Sequence, residues 1–392
     1  MHAALTIIFW SCLGVVFCAY AVYPIVIGIL AWRFGAGHGA AEIADENLPS
    51  VTLLIAAHNE EKVIEWRLQN ALALDYPAGK LRIVVASDAS TDATCGIVRS
   101  HVRAGVKLLD YAIRRGKAGT LNAAMCGIDS DVVVFSDANT SMRPEALRKL
   151  VRWLADPSVG GVCGRLVLTD SAASTNADGG YWNYETFLKT CESRLGVLLG
   201  CNGAIYALRR SCFAAIPDDT ILDDMMIPLL ARLRSGCRLV YDAQATAYEP
   251  TAAGIGGEFA RRARIAAGIG QVVKLLSPLL SPRRPMFALA FFSHKLLRWL
   301  SPFLLAAALI SSACLCGQPF YRWALAAQLA LYATPLLDLR LRFWRAAQMF
   351  TLMNLALMVG ICRTLVGSAS PIWEPTSSIS PPASAEPTRI AA

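Results

Sequence analysis

Between about Pro49 and Gln271, short apolar runs alternate with amphipathic stretches. Residues 51–57 read as a buried strand. Ile64, Leu68, Ala71 and Leu72 then recur at i, i+4, i+7 and i+8, the stripe of an amphipathic helix. Residues 81–87 predict a second strand, 91–103 a helix and 106–109 a third strand. A helix over 117–128 and a strand over 132–136 follow, and Leu147, Leu150, Val151 and Leu154 mark another helix. Strands alternating with helices predict an α/β domain, its mostly parallel sheet covered on both faces.

The flanks follow a different pattern. Residues 4–32 are almost unbroken apolar sequence, long enough to span a bilayer with tilt. No basic residue lies near the start and the run is too long for a cleaved signal peptide. Arg33 follows the run, which puts the N-terminus outside and the next domain in the cytosol. Three later apolar stretches, about 300–316, 323–337 and 349–366, predict further spans, with Asn354 interrupting the last. Arg340, Arg342 and Arg345 in a connection make that loop cytosolic. Before the first stretch, Arg283, Arg284, His294, Lys295 and Arg298 mix with Phe and Leu, a pattern that suits an interfacial helix. Residues 377–392 are rich in Ser, Pro and Ala and read as a disordered tail. The predicted organisation is a transmembrane helix at 1–34, the α/β domain at 49–276, an interfacial and transmembrane region at 283–367 and the tail.

Composition agrees with membrane attachment: 55% of the 392 residues are hydrophobic, and the mean hydropathy is +0.43. The formal net charge of +8 points to anionic lipid headgroups and phosphorylated substrates. No basic stripe interleaved with aromatics supports a nucleic-acid partner. Twelve cysteines are scattered without a C-x-x-C pair or a histidine cluster. They read as small apolar residues on a reducing cytosolic face.

Candidate chemistry sits at the strand tips. Asp88 and Asp137 end two apolar runs, and open α/β sheets bind ligands at the carboxyl ends of their strands. Asp137 with Asn139 at i+2 is a candidate hard-metal ligand set. No G-x-G-x-x-G follows the first strand and no G-x-x-x-x-G-K-[ST] occurs, which disfavours a dinucleotide oxidoreductase and a P-loop ATPase. In the loop after the second strand, Ser90 or Thr91 is positioned to cap the next helix.

Four segments occur in order: Ala-Ala-His-Asn-Glu-Glu at 56–61, Ser-Asp-Ala-Ser-Thr-Asp at 87–92, Arg-Gly-Lys-Ala-Gly-Thr-Leu-Asn at 115–122 and Ser-Asp-Ala-Asn at 136–139. Together they resemble the family 2 glycosyltransferases, which include cellulose, chitin and hyaluronan synthases. The resemblance implies a GT-A fold, Rossmann-like and mostly parallel, with membrane helices at both ends. It implies that Asn59, Glu60, Asp88 and Lys117 contact the nucleotide of a UDP-sugar. Asp137 matches the first acid of the nucleotide–metal motif, usually Asp-x-Asp, and Asn139 replaces the second acid. The implied cofactor is a divalent cation, Mg2+ or Mn2+, held by Asp137 and Asn139. Gly203, in the small-residue loop 199–204, lines the acceptor side by resemblance.

Asp223 and Asp224 match the family's Glu-Asp pair at a helix start, with Asp224 in the place of the general base and Asp223 on the acceptor side. An inverting transfer needs one carboxylate to take the acceptor hydroxyl's proton. Arg262 and Arg264 match basic positions that hold the leaving diphosphate, and Ile265 stands where processive synthases carry a stacking Trp. Trp373 to Thr376 is similar to a segment that approaches the active site in membrane-bound relatives. The implied enzyme is an inner-membrane, multi-pass inverting glycosyltransferase with a cytosolic catalytic domain. It moves a hexosyl or N-acetylhexosaminyl group from a UDP-sugar to a glycan or lipid-linked acceptor in contact with membrane lipid. Processive polysaccharide synthesis is the alternative, and an inactive nucleotide-sensing membrane scaffold is the alternative of another class.

Overall fold

The computed structural model describes residues 1–37, 39–169, 179–250, 254–337 and 342–366. The chain divides into a sheet unit, drawn from residues 38–186 and 200–257, and a helical unit, drawn from 1–37, 187–199 and 258–370.

The sheet unit carries β1 (Val51–Ala57), β2 (Leu81–Asp88), β3 (Val106–Tyr111), β4 (Val132–Asp137), β5 (Ser141–Met142), β6 (Val159–Thr169), β7 (Tyr206–Arg209) and β8 (Arg238–Pro250). Their order across the eight-stranded sheet is β3-β2-β1-β4-β7-β6-β8-β5. The first four strands are mutually parallel; β7 pairs antiparallel with both β4 and β6, and β6 runs parallel to β8. All of β1 is buried, as continuous apolar sequence requires of a central parallel strand. Leu53, Ile55, Ile64, Leu68, Val85 and Val134 belong to one core cluster. The register pairs Ala57 with Ser87 and Ala56 with Asp137. The ends of β1, β2 and β4 therefore lie side by side, which gathers the candidate loops at one edge of the sheet.

The predicted strands and helices of the first half lie within three residues of the observed ones at either end, though the helix expected at 91–103 loses three at both and runs only from Thr94 to Ser100. The shorter helix corrects the capping expectation. Asp92 Oδ1 accepts the N–H of Thr94 at 3.0 Å, while Ser90 and Thr91 bond to Asn59 across the neighbouring loop.

Among the described residues, four helices are long and apolar enough to cross a membrane: His2–Phe34, Gly256–Leu280, Pro285–Cys314 and Trp344–Leu365. Trp10, Trp32, Phe34 and Ile310 point outward on them, as side chains facing lipid do. The stretch expected at 323–337 lies largely in the helix Pro319–Ala333, about 22 Å long and shorter than a hydrocarbon core. The basic segment expected as a separate interfacial helix instead runs without a break from Pro285 into the helix ending at Cys314. Asn354 does not break the last helix; its side-chain amide donates to the carbonyl of Phe350 at 2.9 Å. A Cβ on Gly360 would lie 2.2 Å from the Ala263 carbonyl oxygen, so the last helix packs against the helix Gly254–Ala267 through a residue with no side chain.

Two segments of the helical unit are π-helical, Cys18–Val22 and Phe291–Leu296. Beside them stands a buried polar trio. Glu192 Oε1 accepts from Tyr23 Oη at 2.8 Å and pairs with His294 Nδ1 at 2.5 Å, and all three side chains are under 5% exposed. The cysteines are all free. Six are buried, but Cys18, Cys314, Cys316 and Cys362 lie exposed on the helical unit. The loop beyond Thr169, residues 338–341, the Trp373 segment and the tail lie outside the described residues; of the three arginines expected in a connection, Arg342 and Arg345 instead belong to the helix Arg342–Leu365.

Candidate active site

The loops after β1 and β2 are tied to each other before either can meet a ligand. Asn59 has a left-handed backbone, φ 52°, and so does Ala89, φ 53°, a strained state for alanine. The N–H of Asn59 donates to Ser90 Oγ at 3.1 Å, and Asn59 Oδ1 accepts the N–H of Thr91 at 2.8 Å. The N–H of Glu60 donates to Thr94 Oγ1 at 2.8 Å, and the N–H of Ala93 to Glu61 Oε2 at 3.0 Å. His58, buried, donates from Nδ1 to the Asp88 carbonyl at 2.6 Å; its Nε2 accepts from the Asn59 amide at 3.3 Å. These partners assign the tautomer.

Asp88 is 1% exposed. Its Oδ1 accepts the N–H of Arg115 at 2.6 Å and its Oδ2 the N–H of Gly116 at 3.0 Å. It thereby fixes the start of the helix Gly116–Met125, the helix that presents Lys117. A carboxylate at the first N–H groups of a helix suits both hydrogen bonding and the helix dipole.

Lys117 reaches the tip of β4. Its Nζ lies 2.6 Å from Asp137 Oδ1 and 3.3 Å from Asp223 Oδ2. Burial alone would lower the pKa of this ammonium, but Asp137 and Asp223 overcome that and hold it above the ordinary lysine value. Asp223 and Asp224 open the helix Asp223–Ser235. Asp223 is buried, and burial pushes its carboxyl up to about 6, against the pull of Lys117 and with the push of Asp224. Asp224 is half-buried and its carboxylate faces Gly203: a Cβ there would stand 3.6 Å from Asp224 Oδ2 and 3.4 Å from Asp137 Oδ2. The glycine thus leaves open the space between the two carboxylates. The loop that carries it is held by Asn202, whose amide donates to the Gly164 carbonyl at 2.7 Å, and by the N–H of Cys201, which donates to the Asp224 carbonyl at 3.0 Å.

Asn59, Glu60, Asp88, Lys117, Asp137, Asn139, Gly203, Asp223 and Asp224 all belong to the sheet unit. Asp137, Lys117, Asp223, Asp224 and Gly203 form one cluster. Burial, with Asp137 and Asp92 nearby, pushes the Glu60 carboxyl up to about 8. Arg262 and Arg264 belong to the helical unit. Arg262 Nε donates to Glu258 Oε1 at 2.6 Å, one turn earlier on its own helix, and Arg264 is exposed.

Two residues of the site escaped sequence reasoning. Arg67 is wholly buried under the tip of β4. Its guanidinium donates to Ser136 Oγ and to Asn70 Oδ1, each at 3.0 Å, and Ser136 Oγ donates to the Ala204 carbonyl at 2.9 Å. Burial pulls Arg67 down to about 10, partly offset by Asp137. The signal was available, because position 67 falls on the buried stripe of Ile64, Leu68 and Ala71. The second is Glu249 in β8, 9% exposed, whose Oε1 accepts from the Asn139 amide at 3.0 Å. No local pattern marks it, since its partner lies 110 residues away.

A divalent cation fits this set with help. Asp137 Oδ2 faces the space that the missing Gly203 side chain leaves, and Asn139 adds a neutral oxygen donor. Among the described residues no group of three or more His, Cys, Asp or Glu could hold a metal by itself. A cation here would draw its other ligands from phosphate and water, as Mg2+ does.

Residues 52–215 match the glycosyl transferase family 2 model. A poly-β-1,6-N-acetyl-D-glucosamine synthase from Staphylococcus aureus (strain COL) is 26% identical over 259 residues, 64% of this chain and 62% of that protein. An N-acetylglucosaminyltransferase from Rhizobium leguminosarum bv. viciae is 25% identical over 184 residues, 46% of this chain and 43% of that protein. The chain thus spans about half the length of the curated relatives it matches. A mannosyltransferase from Pyrobaculum calidifontis, solved with GDP-Man and Mn2+, superposes with a TM-score of 0.70 at 23% identity, covering 93% of this chain and 98% of that one. Four motifs in order, a sheet that gathers their loops at one edge and the match over residues 52–215 together mark that segment as similar to the glycosyl transferase family 2 domain, and the sheet unit has the GT-A fold.

Proposed function

We propose that the protein is a membrane-bound inverting glycosyltransferase that moves a sugar from a UDP-sugar to a hydroxyl of a glycan or lipid-linked acceptor. The observation that carries the reading is the cluster in which Asp137, Asp223 and Asp224 surround Lys117 beside Gly203. Three acids beside one ammonium suit a diphosphate that arrives with a divalent cation, and the open backbone at Gly203 leaves room for an uncharged sugar.

In this reading Asn59 and Glu60 line the nucleotide side, and Asp88 sets the Arg115–Gly116 turn against it. Lys117 meets the diphosphate, and Asp137 with Asn139 would hold the cation. When bound, that cation supplies Lewis-acid stabilisation of the leaving diphosphate. Asp224 takes the proton of the acceptor hydroxyl as its oxygen attacks the anomeric carbon; the bond from that carbon to the phosphate oxygen breaks, and the nucleoside diphosphate leaves with the electron pair. One displacement inverts the anomeric configuration. Asp223, deeper and held by Lys117, keeps Asp224 in place. The half-buried Asp224 beside Gly203 is the better placed of the two acids to meet an acceptor. Arg262 and Arg264 carry the basic positions that the family resemblance assigns to the leaving group.

Four helices able to cross a membrane and Arg33 after the first of them support an inner-membrane location with the catalytic unit in the cytosol. The named relatives make UDP-N-acetylglucosamine the first donor to test and a polymer the second product class, with GDP-mannose as the contrasting donor. Ile265, in place of a stacking Trp, supports transfer of a single sugar, and product length by mass spectrometry decides between the two.

The test of the mechanism is Asp224→Asn. Transfer should fall by about 10²–10⁴-fold while nucleotide binding, measured by calorimetry, persists. Transfer by the variant near the wild-type rate would sink the assignment of the base.

A further inference from the structure

We propose that Lys117 and a divalent cation compete for Asp137, so that metal enters this site only together with a diphosphate. The inference rests on the donor reading given above and adds an order of events to it.

The ammonium lies 2.6 Å from Asp137 Oδ1 and 3.3 Å from Asp223 Oδ2, and the lysine side chain is 19% exposed. Asn139 is neutral, and its amide is turned to Glu249. The Asp-x-Asn motif therefore offers one negative charge, and the Lys117 ammonium sits on one of its two oxygens, Oδ1, while Asp223 shares the same ammonium. A dication on Asp137 would sit within a few ångströms of Nζ, in a place where little solvent screens the repulsion. With aspartate at 139, a second carboxylate would offset that repulsion; with asparagine nothing in the motif does.

A diphosphate reverses the balance. It brings two or three negative charges, and a lysine on its flexible four-carbon stem can transfer its point charge from a carboxylate to a phosphate oxygen. Asp137 would then be free of the ammonium's charge, and a cation held there could also draw ligands from the phosphates. Lys117 and the metal thus compete in the absence of nucleotide and cooperate in its presence. Linkage makes the effect reciprocal, so nucleotide tightens metal binding by the factor by which metal tightens nucleotide binding.

The experiment titrates Mn2+ into the full-length protein in detergent and follows free Mn2+ by electron paramagnetic resonance, without nucleotide, with UDP and, in parallel, with GDP. Wild type should bind Mn2+ at least roughly tenfold more tightly with the nucleotide than without it. Lys117→Met should bind Mn2+ alone at least roughly tenfold more tightly than wild type does, and its coupling to nucleotide should shrink toward unity. Lys117→Arg, which keeps the charge, should exclude the metal as wild type does. Equal Mn2+ affinity of the wild type with and without bound nucleotide overturns the proposal, and that measurement needs no variant. So does a folded Lys117→Met protein whose affinity for metal alone is that of wild type. Failure of both UDP and GDP to bind would strike the donor reading instead, and the comparison of wild type with Lys117→Met in metal alone would still decide the role of the lysine.

Discussion

Substituting Gly203 by alanine adds one methyl group between Asp137 and Asp224. The methyl would stand 3.4 Å from Asp137 Oδ2, 3.5 Å from Asp224 Cβ and 3.6 Å from Asp224 Oδ2. These are ordinary van der Waals distances, so no backbone has to move. Gly203 does not have a left-handed backbone, whereas Gly200, with φ 140°, does. Alanine at a compatible backbone angle stabilises a fold by about 0.4–1 kcal/mol, because the unfolded chain loses freedom. The melting temperature should therefore hold or rise by about 1–4 °C. Activity should move the other way. The methyl takes the space into which the acceptor hydroxyl and the sugar must converge, and a misplacement of about 1 Å at a reacting centre costs on the order of 10²-fold. That is about 2.7 kcal/mol of transition-state stabilisation. The assay is nucleotide release with the donor that wild type uses, alongside a thermal melt and a nucleotide-binding isotherm. Nucleotide affinity should stay within about threefold, since the nucleoside lies on the far side of Lys117 in this reading. A variant that melts normally and transfers within about threefold of the wild-type rate would refute the argument that this gap is where the reaction takes place.

Asn139→Asp restores the acid more usual at that position, yet it should destabilise the protein by about 1–3 kcal/mol, because it sets a second carboxylate against buried Glu249 and removes the hydrogen bond at 3.0 Å. Adding Glu249→Gln should recover most of the loss in a chemical denaturation series; an unchanged single variant would show that the pair carries no energy. Glu60→Gln tests the raised carboxyl at position 60, which titrates near 8 in the fold against 4.5 for the free side chain. A group with a raised folded pKa contributes stability that is fully present below the unfolded value and lost as pH rises through the folded one. Wild type should thus lose stability relative to the glutamine variant between about pH 4.5 and 8, on the order of 2 kcal/mol after allowance for its partial exposure. Melts of the two proteins that run parallel from pH 4 to 9 would contradict this.

The parts of the fold legible in the sequence were those whose partners are near in the chain or whose burial is complete. β1, β2 and β4 are continuous apolar runs because both faces of a central parallel strand are covered. The helix Ile64–Leu72 announces itself by its stripe. β6 and β8 were not predicted. β6 contains Gly160, Gly161 and Gly164, and β8 carries Asp242, Gln244 and Glu249 among its apolar positions. Their pairing with each other spans some 80 residues, so no local period marks either one. Within the site, motif order identified the acids and the lysine, but the bonds those residues make are tertiary. Asp88 reads as a nucleotide ligand by resemblance; in the fold both its carboxylate oxygens are taken by the backbone at 115 and 116. Asn139 reads as a weakened metal ligand, and only the fold reveals Glu249 beside it.

The trio of Tyr23, Glu192 and His294 bears on how this chain is made. Tyr23 leaves the ribosome 169 residues before Glu192, and Glu192 leaves 102 residues before His294. At about 5–20 residues per second, the first helix waits roughly 8–34 s for the acid and the acid about 5–20 s for the imidazole. During that wait an apolar helix carries a hydroxyl whose eventual partner does not yet exist, and then a second helix carries a carboxylate with only half its complement. The N-terminal helix is thus more than an anchor laid down first and left alone. It is an early component held in reserve, and its hydroxyl gains its full setting only after a segment about 270 codons further on has been translated.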